Sequence, residues 1–327
     1  MGGILALKKV QFGLETAAGT AIAADTVWRG TGEIKDAREL VMIDEQVGSL
    51  LPVGNQYESH REATFTMGET EATFEQLPFI LTCAVKAMQT GVVDTGGSGY
   101  IYIFGLATGA VQTPNTATIE CGDNQRVDEM EYSFVTDFDL NGAAKEAWKV
   151  TANWVGRQCT DAELTTGISL VAVEPILFGK TNFYLDTTPA SIGATTKSST
   201  LVAFNSNWNL GHIPLYSADG VSYFSAMKTV GAEITGTLTL EHDATGEAEI
   251  TAARARSLRY IRLKAEGSAL TTPGTYNYKT LIIDLAIQYD EIPEMGDADG
   301  NRTVELPWHA VDGIAPTITV VNEIAAM

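Results

Sequence analysis

Glu131-Tyr132-Ser133-Phe134-Val135-Thr136-Asp137-Phe138-Asp139-Leu140 is the stretch that decides the fold. Tyr132, Phe134, Thr136, Phe138 and Leu140 fall on one side of an extended chain, and Glu131, Ser133, Val135, Asp137 and Asp139 on the other. A period of two marks a strand with one packed and one wet face, because successive side chains of a pleated backbone point to opposite sides. Asn141-Gly142 supplies a turn, and Trp148, Val150, Ala152 and Trp154 then resume an apolar face opposite Lys149, Thr151 and Asn153. The segment is predicted to be a long antiparallel hairpin.

A second hairpin follows the same design. Leu281, Ile283, Leu285, Ile287 and Tyr289 alternate with Thr280, Ile282, Asp284, Ala286 and Gln288, residues 293–301 form a loop rich in Gly, Asp and Pro, and Val304, Leu306 and Trp308 return. Trp154 and Trp308 read as equivalents. Upstream of each hairpin, Ala63-Thr64-Phe65-Thr66-Met67 matches Gly236-Thr237-Leu238-Thr239-Leu240, each followed by acidic turn residues. A helical spacing comes next in the first case, through Phe74, Leu77, Leu81, Ala84, Val85 and Met88, with Pro78 tolerable only in its first turn. In the second case residues 247–256 are acidic at the start and basic at the end, as the helix dipole favours. Each helix leads into a strand, at 100–106 and 258–266. The repeated order predicts an internal duplication: a mainly β chain of two tandem β-sandwich or barrel domains, residues 1–162 and 163–327, each with one flanking α-helix.

With 327 residues the chain can build two cores without staples, and 45% hydrophobic against 19% charged residues suits a globular protein. Forty-one acidic against 21 basic residues give a net charge of −20, which repels nucleic acid in the absence of a basic stripe. Cys83, Cys121 and Cys159 lie far apart, against a zinc site or a disulfide framework, and point to a reducing compartment. Lys8 and Lys9 follow the short N-terminal apolar stretch instead of preceding it, so no secretory signal is predicted. The apolar run at 78–85 is too short to span a bilayer, and Ala6 stands where a myristoylation motif wants Ser or Thr, so no membrane anchor is expected.

Motifs for chemistry are sparse. His60, His212, His242 and His309 stand apart from one another and from cysteine, and neither metal nor cofactor is expected. His242, between Glu241 and Asp243, reads as a base with its orienter or, more simply, as a solvated turn. Residues 297–301 begin like a calcium loop but lack the third carboxylate and the glutamate at position twelve, so a hairpin turn explains Asp297 and Asp299 better. No phosphate loop, dinucleotide fingerprint or nucleophile elbow occurs in the sequence. Asp137 with Asp139 leaves glycoside hydrolysis as a third-ranked reading, and the expectation is a protein without catalytic activity. Residues 42–60 hold Val47, Leu50, Leu51, Val53 and Tyr57 among Gly and Pro. The segment is too long and apolar for an ordinary loop, so either a partner covers it or it forms a buried strand pair.

The opening Val10-Gln11-Phe12-Gly13-Leu14-Glu15-Thr16-Ala17-Ala18-Gly19-Thr20-Ala21, the long apolar connection, the helix beside a β-sandwich and the long closing hairpins together resemble the major tail tube proteins of long-tailed, non-contractile bacteriophages. The resemblance covers most of the chain as a pattern. It implies a β-sandwich whose inner sheet joins that of its neighbours into a ring around the DNA channel, with rings stacked helically. Chains with two copies of the fold form threefold rings of pseudo-sixfold symmetry, and the duplication places this chain among them. On this likeness the protein is a structural component of the virion tail, assembled in the cytoplasm of the bacterial host. Its partners are further copies of itself and the tape-measure, tail terminator and tail tip proteins, with DNA met only in passage.

If the wet strand faces turn inward, Glu131, Asp137, Asp139, Thr237, Thr239 and Asp284 line the channel as a negative, hydroxyl-rich wall. Met42, Val47, Leu50, Leu51, Val53 and Tyr57, with His212 and Tyr216 from residues 211–224, would make ring-to-ring or subunit contacts. The alternative is a two-domain β-sandwich binding protein that recognises glycan, decorates a capsid or recognises a surface, with Tyr100, Tyr102 and Tyr223 as an exposed platform.

Overall fold

A computed structural model describes residues 2–51, 54–298 and 300–327; Val53 and Asp299, singled out above, lie outside the described residues. The chain is mainly β, built of large antiparallel sheets with two α-helices among the described residues. Its first half contains β1 (Lys9–Leu14), β2 (Thr26–Val27), β3 (Gly32–Asp36), β4 (Glu39–Met42), β5 (Gln56–His60), β6 (Ala63–Glu71), α1 (Leu77–Ala84), β7 (Val92–Val93), β8 (Tyr100–Gly105), β9 (Ala117–Gly122), β10 (Val127–Ala143), β11 (Lys149–Gly156) and β12 (Cys159–Asp161). The second half contains β13 (Thr181–Asp186), β14 (Thr196–Lys197), β15 (Leu201–Asn209), β16 (His212–Leu215), β17 (Ala226–Thr229), β18 (Glu233–Glu241), α2 (Ala244–Arg254), β19 (Arg259–Ala269), β20 (Tyr278–Tyr289), β21 (Glu294–Ala298), β22 (Asn301–Ala310) and β23 (Thr317–Asn322).

The two halves pair their strands in the same order. In the first, β1 pairs with β9, β9 with β10, β10 with β11, β11 with β6 and β6 with β3. In the second, β13, β19, β20, β22, β18 and β15 follow each other in the corresponding places. A short strand, β12 or β23, flanks β10 or β20 in each half. The counterpart of β19 is thus β9, not the strand at 100–106, because β8 pairs with β23 of the other half. All of Ala117–Cys121 is buried, so β9 lacks the alternation that would reveal it in sequence. Residues 293–301 are also more than a loop, since β21 pairs with β22 from Glu294↔Glu305 to Ala298↔Asn301. Charged residues and glycine disguise it, because an edge strand without a buried face carries no apolar alternation.

The tryptophans set the register between the halves. Trp154 stands opposite Phe65 and Val135, and Trp308 opposite Gly236 and Tyr289. On this register Gly236 corresponds to Phe65, so the likeness of residues 63–67 to 236–240 is two residues out of step. A Cβ at Gly236 would lie 2.1 Å from the Asn205 carbonyl oxygen and 2.5 Å from the Trp308 ring, which fixes glycine there. Trp148, Trp154, Trp208 and Trp308 are all fully buried, and burying a large apolar side chain stabilises by roughly 1.5–3 kcal/mol.

Both halves share one sheet. The end of β10 pairs on one edge with β11 and on the other with β15, from Asp137↔Asn209 to Ala143↔Ala203. The order is β3, β6, β11, β10, β15, β18, β22, β21, and Phe138 stacks on Trp208 across the join with ring centroids 5.5 Å apart. Among the described residues β3 and β21 have a strand partner on one side only, so the shared sheet ends in two open edges.

Long β10 departs from the strict alternation read in its sequence. Its register shifts between Met130 and Ser133 and again between Val135 and Asp137. Each bulge inserts a residue and reverses which side faces the core. Ser133 and Val135, expected on the wet side, are therefore buried, and Phe134 leaves the Phe138 side to meet Phe224 and His212. The helices differ as well. All eight residues of α1 are buried, so it is a core helix without a wet face, its Pro78 in the first turn as expected. Helix α2 flanks its sheet: Asp243 caps it by accepting from the Thr245 and Gly246 N–H groups, with Glu247 in the first turn and Arg254 in the last.

Candidate functional site, a polar face on the shared sheet

On the side of the shared sheet turned away from the core, polar residues run from strand to strand in rows. One row passes Glu33, Thr66, Asn153, Asp137 and Asn209, and the next passes Thr151, Asp139, Asn207, Thr235 and His309. The sequence dictates this placement, because Phe138, Leu140, Ala152, Trp154, Trp208 and Leu238 on the alternate positions are buried.

The rows are tied by side-chain hydrogen bonds. Asp137 accepts from Asn153 Nδ2 at 2.7 Å and from Thr136 Oγ1 at 2.9 Å. Asp139 accepts from Thr151 Oγ1 at 2.9 Å and from Asn207 Nδ2 at 2.8 Å, the latter across the join between the halves. Around Asp137 and Asp139, one amide proton each of Asn153 and Asn207 and the hydroxyl protons of Thr136 and Thr151 are spent within the face. The carboxylate lone pairs and amide oxygens are what it offers to solvent.

Of the six residues expected on a channel wall, Asp137, Asp139, Thr237 and Thr239 share this face, with Thr237 opposite Pro307 and Thr239 opposite Glu305. Glu131 does not. It sits at the first bend of β10, where Gln158 Nε2 donates to it at 3.2 Å and Arg157 lies 3.9 Å away. Asp284 is on β20, opposite Arg262 and Thr317 and away from the strands that carry the polar rows, and is held by both Nε and Nη2 of Arg262 at 2.7 Å. Strand alternation alone could not tell which strands lie side by side on this face. The Asn donors were not singled out, although Asn205-Ser206-Asn207-Trp208-Asn209 carries the alternation that would reveal them.

Strands β4 and β5 pair as a hairpin arm between β3 and β6, and β16 and β17 form a second arm between β15 and β18. Met42, Val47, Leu50, Leu51 and Tyr57 are exposed on the first arm, so the arm that β4 and β5 form carries these apolar residues outside instead of burying them. The arms meet through an Arg61 N–H to Ser222 O bond of 2.8 Å and through Tyr216, whose hydroxyl donates to Glu62 Oε2 at 2.8 Å. Burial and the Glu62 carboxylate raise the Tyr216 pKa.

His212 is not a surface contact. It is 3% exposed, and its Nε2 donates to the Ala84 carbonyl at the end of α1 at 2.8 Å, which leaves Nδ1 to accept from Thr229 Oγ1 at 2.9 Å. Burial lowers its pKa against the opposing effect of the Ala84 bond. Nor do the three tyrosines form a platform: Tyr102 is fully buried with its hydroxyl donating to Ile324 O, while Tyr223 lies over the Arg157 guanidinium.

Among the described residues no group of three His, Cys, Asp or Glu is placed to hold a metal ion, and no helix is long and apolar enough to cross a membrane. No protein-family model matches the sequence, and no curated protein matches it.

Proposed function

We propose that this chain is a structural tube subunit of a phage tail, a duplicated tube-type β protein whose copies form stacked threefold rings around a channel for DNA. The observation that carries this reading is the single sheet that runs through both halves, polar over its exposed face and open at both edges. An open edge of unpaired N–H and C=O groups is a template for another strand, and a ring of copies leaves none exposed. The polar face suits passage without adhesion: its carboxylates repel phosphate, and its nearest amide and hydroxyl donors are already engaged by Asp137 and Asp139. The exposed apolar arm gives one ring a surface to bury against the next, a heterologous contact that propagates into a filament.

Negative-stain electron microscopy of the purified chain across a concentration and salt series tests the reading. Hollow, regularly striated tubes or stacked rings are expected. A discrete solid particle under every condition would overturn it and favour a binding protein.

A further inference from the structure

The join between β10 and β15 is also a template for the join between chains. With Trp154 and Trp308 aligned, Asp139 opposite Thr151 and Glu294 opposite Glu305 occupy the same place in the two halves. Likewise Ile34, opposite Phe65, occupies the place of Ser206, opposite Gly236, so Lys35 is the counterpart of Asn207. Asp139 pairs with Asn207 inside the chain. We infer that β21 of one copy pairs antiparallel with β3 of the next in the same register, with Glu294 opposite Lys35, Met295 opposite Ile34 and Gly296 opposite Glu33. This inference rests on the tube reading for its ring and adds the edges, the register and the residues that make it.

Three observations fit this register. The pair on the polar face, Glu294 with Lys35, is of opposite charge, and both are exposed in the single chain. On the core side Met295 is 44% exposed although its counterpart Leu140 is fully buried, as expected of a position whose cover comes from another copy. The open edge of β3 also borders a groove of about 270 Å³, lined by Leu5, Ile34 and Cys121 and otherwise mostly by charged side chains, which leaves room for an incoming Met295 beside Ile34. A slip of two residues keeps the faces but sets Met295 against Asp36 and Lys35 against Gly296, losing both the apolar contact and the charge pair.

Charge reversal and cross-linking test the register in the full chain. Lys35→Glu and Glu294→Lys should each raise the concentration at which half the protein is assembled, read by sedimentation, by about tenfold, and the double reversal should return it to within about twofold of the parent. In a Cys121→Ser background, Lys35→Cys with Glu294→Cys should form a disulfide between copies on oxidation, while Lys35→Cys with Gly296→Cys should not, because only directly opposite Cβ atoms come close enough. Rings that form without rescue by the double reversal, or that cross-link through Gly296→Cys in preference, would overturn the register and leave the tube reading standing. A parent protein monomeric at every concentration would overturn both.

Discussion

Asn207 donates its amide N–H to Asp139 at 2.8 Å across the line where the two halves of the chain share one sheet. The bond joins the two halves on the polar face, next to the Phe138–Trp208 stack on the core side. Asn207→Ala removes a partly exposed, charge-assisted hydrogen bond and should cost about 1 kcal/mol in urea unfolding. Asn207→Asp should cost more, since it sets two carboxylates opposite each other.

Gly236 is held to glycine by the Asn205 carbonyl and the Trp308 ring. Gly236→Ala should lower stability by roughly 1–3 kcal/mol, the usual cost of overpacking. Ala63→Gly, at the position matched to it by sequence likeness, removes a buried methyl and should show a smaller loss. Thermal melting of the two variants side by side checks the register set by the tryptophans.

His212 supplies a pH dependence of known sign. Its pKa is lowered in the fold by burial, so the neutral form is favoured there and the unfolded chain takes up the proton first. Its contribution is fully present above pH 6.5, the ordinary histidine value, and falls as pH drops through 6.5 toward the lowered folded value. In the His212→Gln variant stability at neutral pH should fall and that part of the acid slope should vanish. Melting temperatures of both proteins between pH 8 and pH 5 make the comparison.

The cysteines should be inert in the native protein. Burial raises all three thiols, and Cys159, with Asp128 and Asp36 nearby, is pushed up to about 12. At pH 8 an alkylating reagent should label none of them until denaturant is added.

Leu50 and Leu51 stand exposed on the first arm. Leu50→Ser with Leu51→Ser should leave the melting temperature of the unassembled chain within about 1 °C, as a surface change should. The same pair should sharply reduce the length of filaments seen by electron microscopy.

Much of the fold was legible because burial on one side of a strand imposes a period of two. β11, β18 and β22 keep that period, β20 is buried on both sides over most of its length, and both helices lie close to where spacing and charge put them. Where burial is two-sided, as in β9, or absent, as in edge strand β21, the period carries no signal. Bulges hid the true faces of β10, because an inserted residue changes direction without changing composition. Asp137 and Asp139 were placed correctly on the exposed face of their strand, whereas Asp284, equally alternating, lies between β19 and β23, away from the polar rows. Alternation assigns a side of a strand but not the strands that lie beside it.

A cryo-electron microscopy reconstruction of the assembled protein tests the central claim most directly. The account predicts three chains per ring, with Asp137, Asp139 and Asn207 on the wall of a hollow centre. A reconstruction with those side chains on the outer surface, or with no central channel, would contradict it.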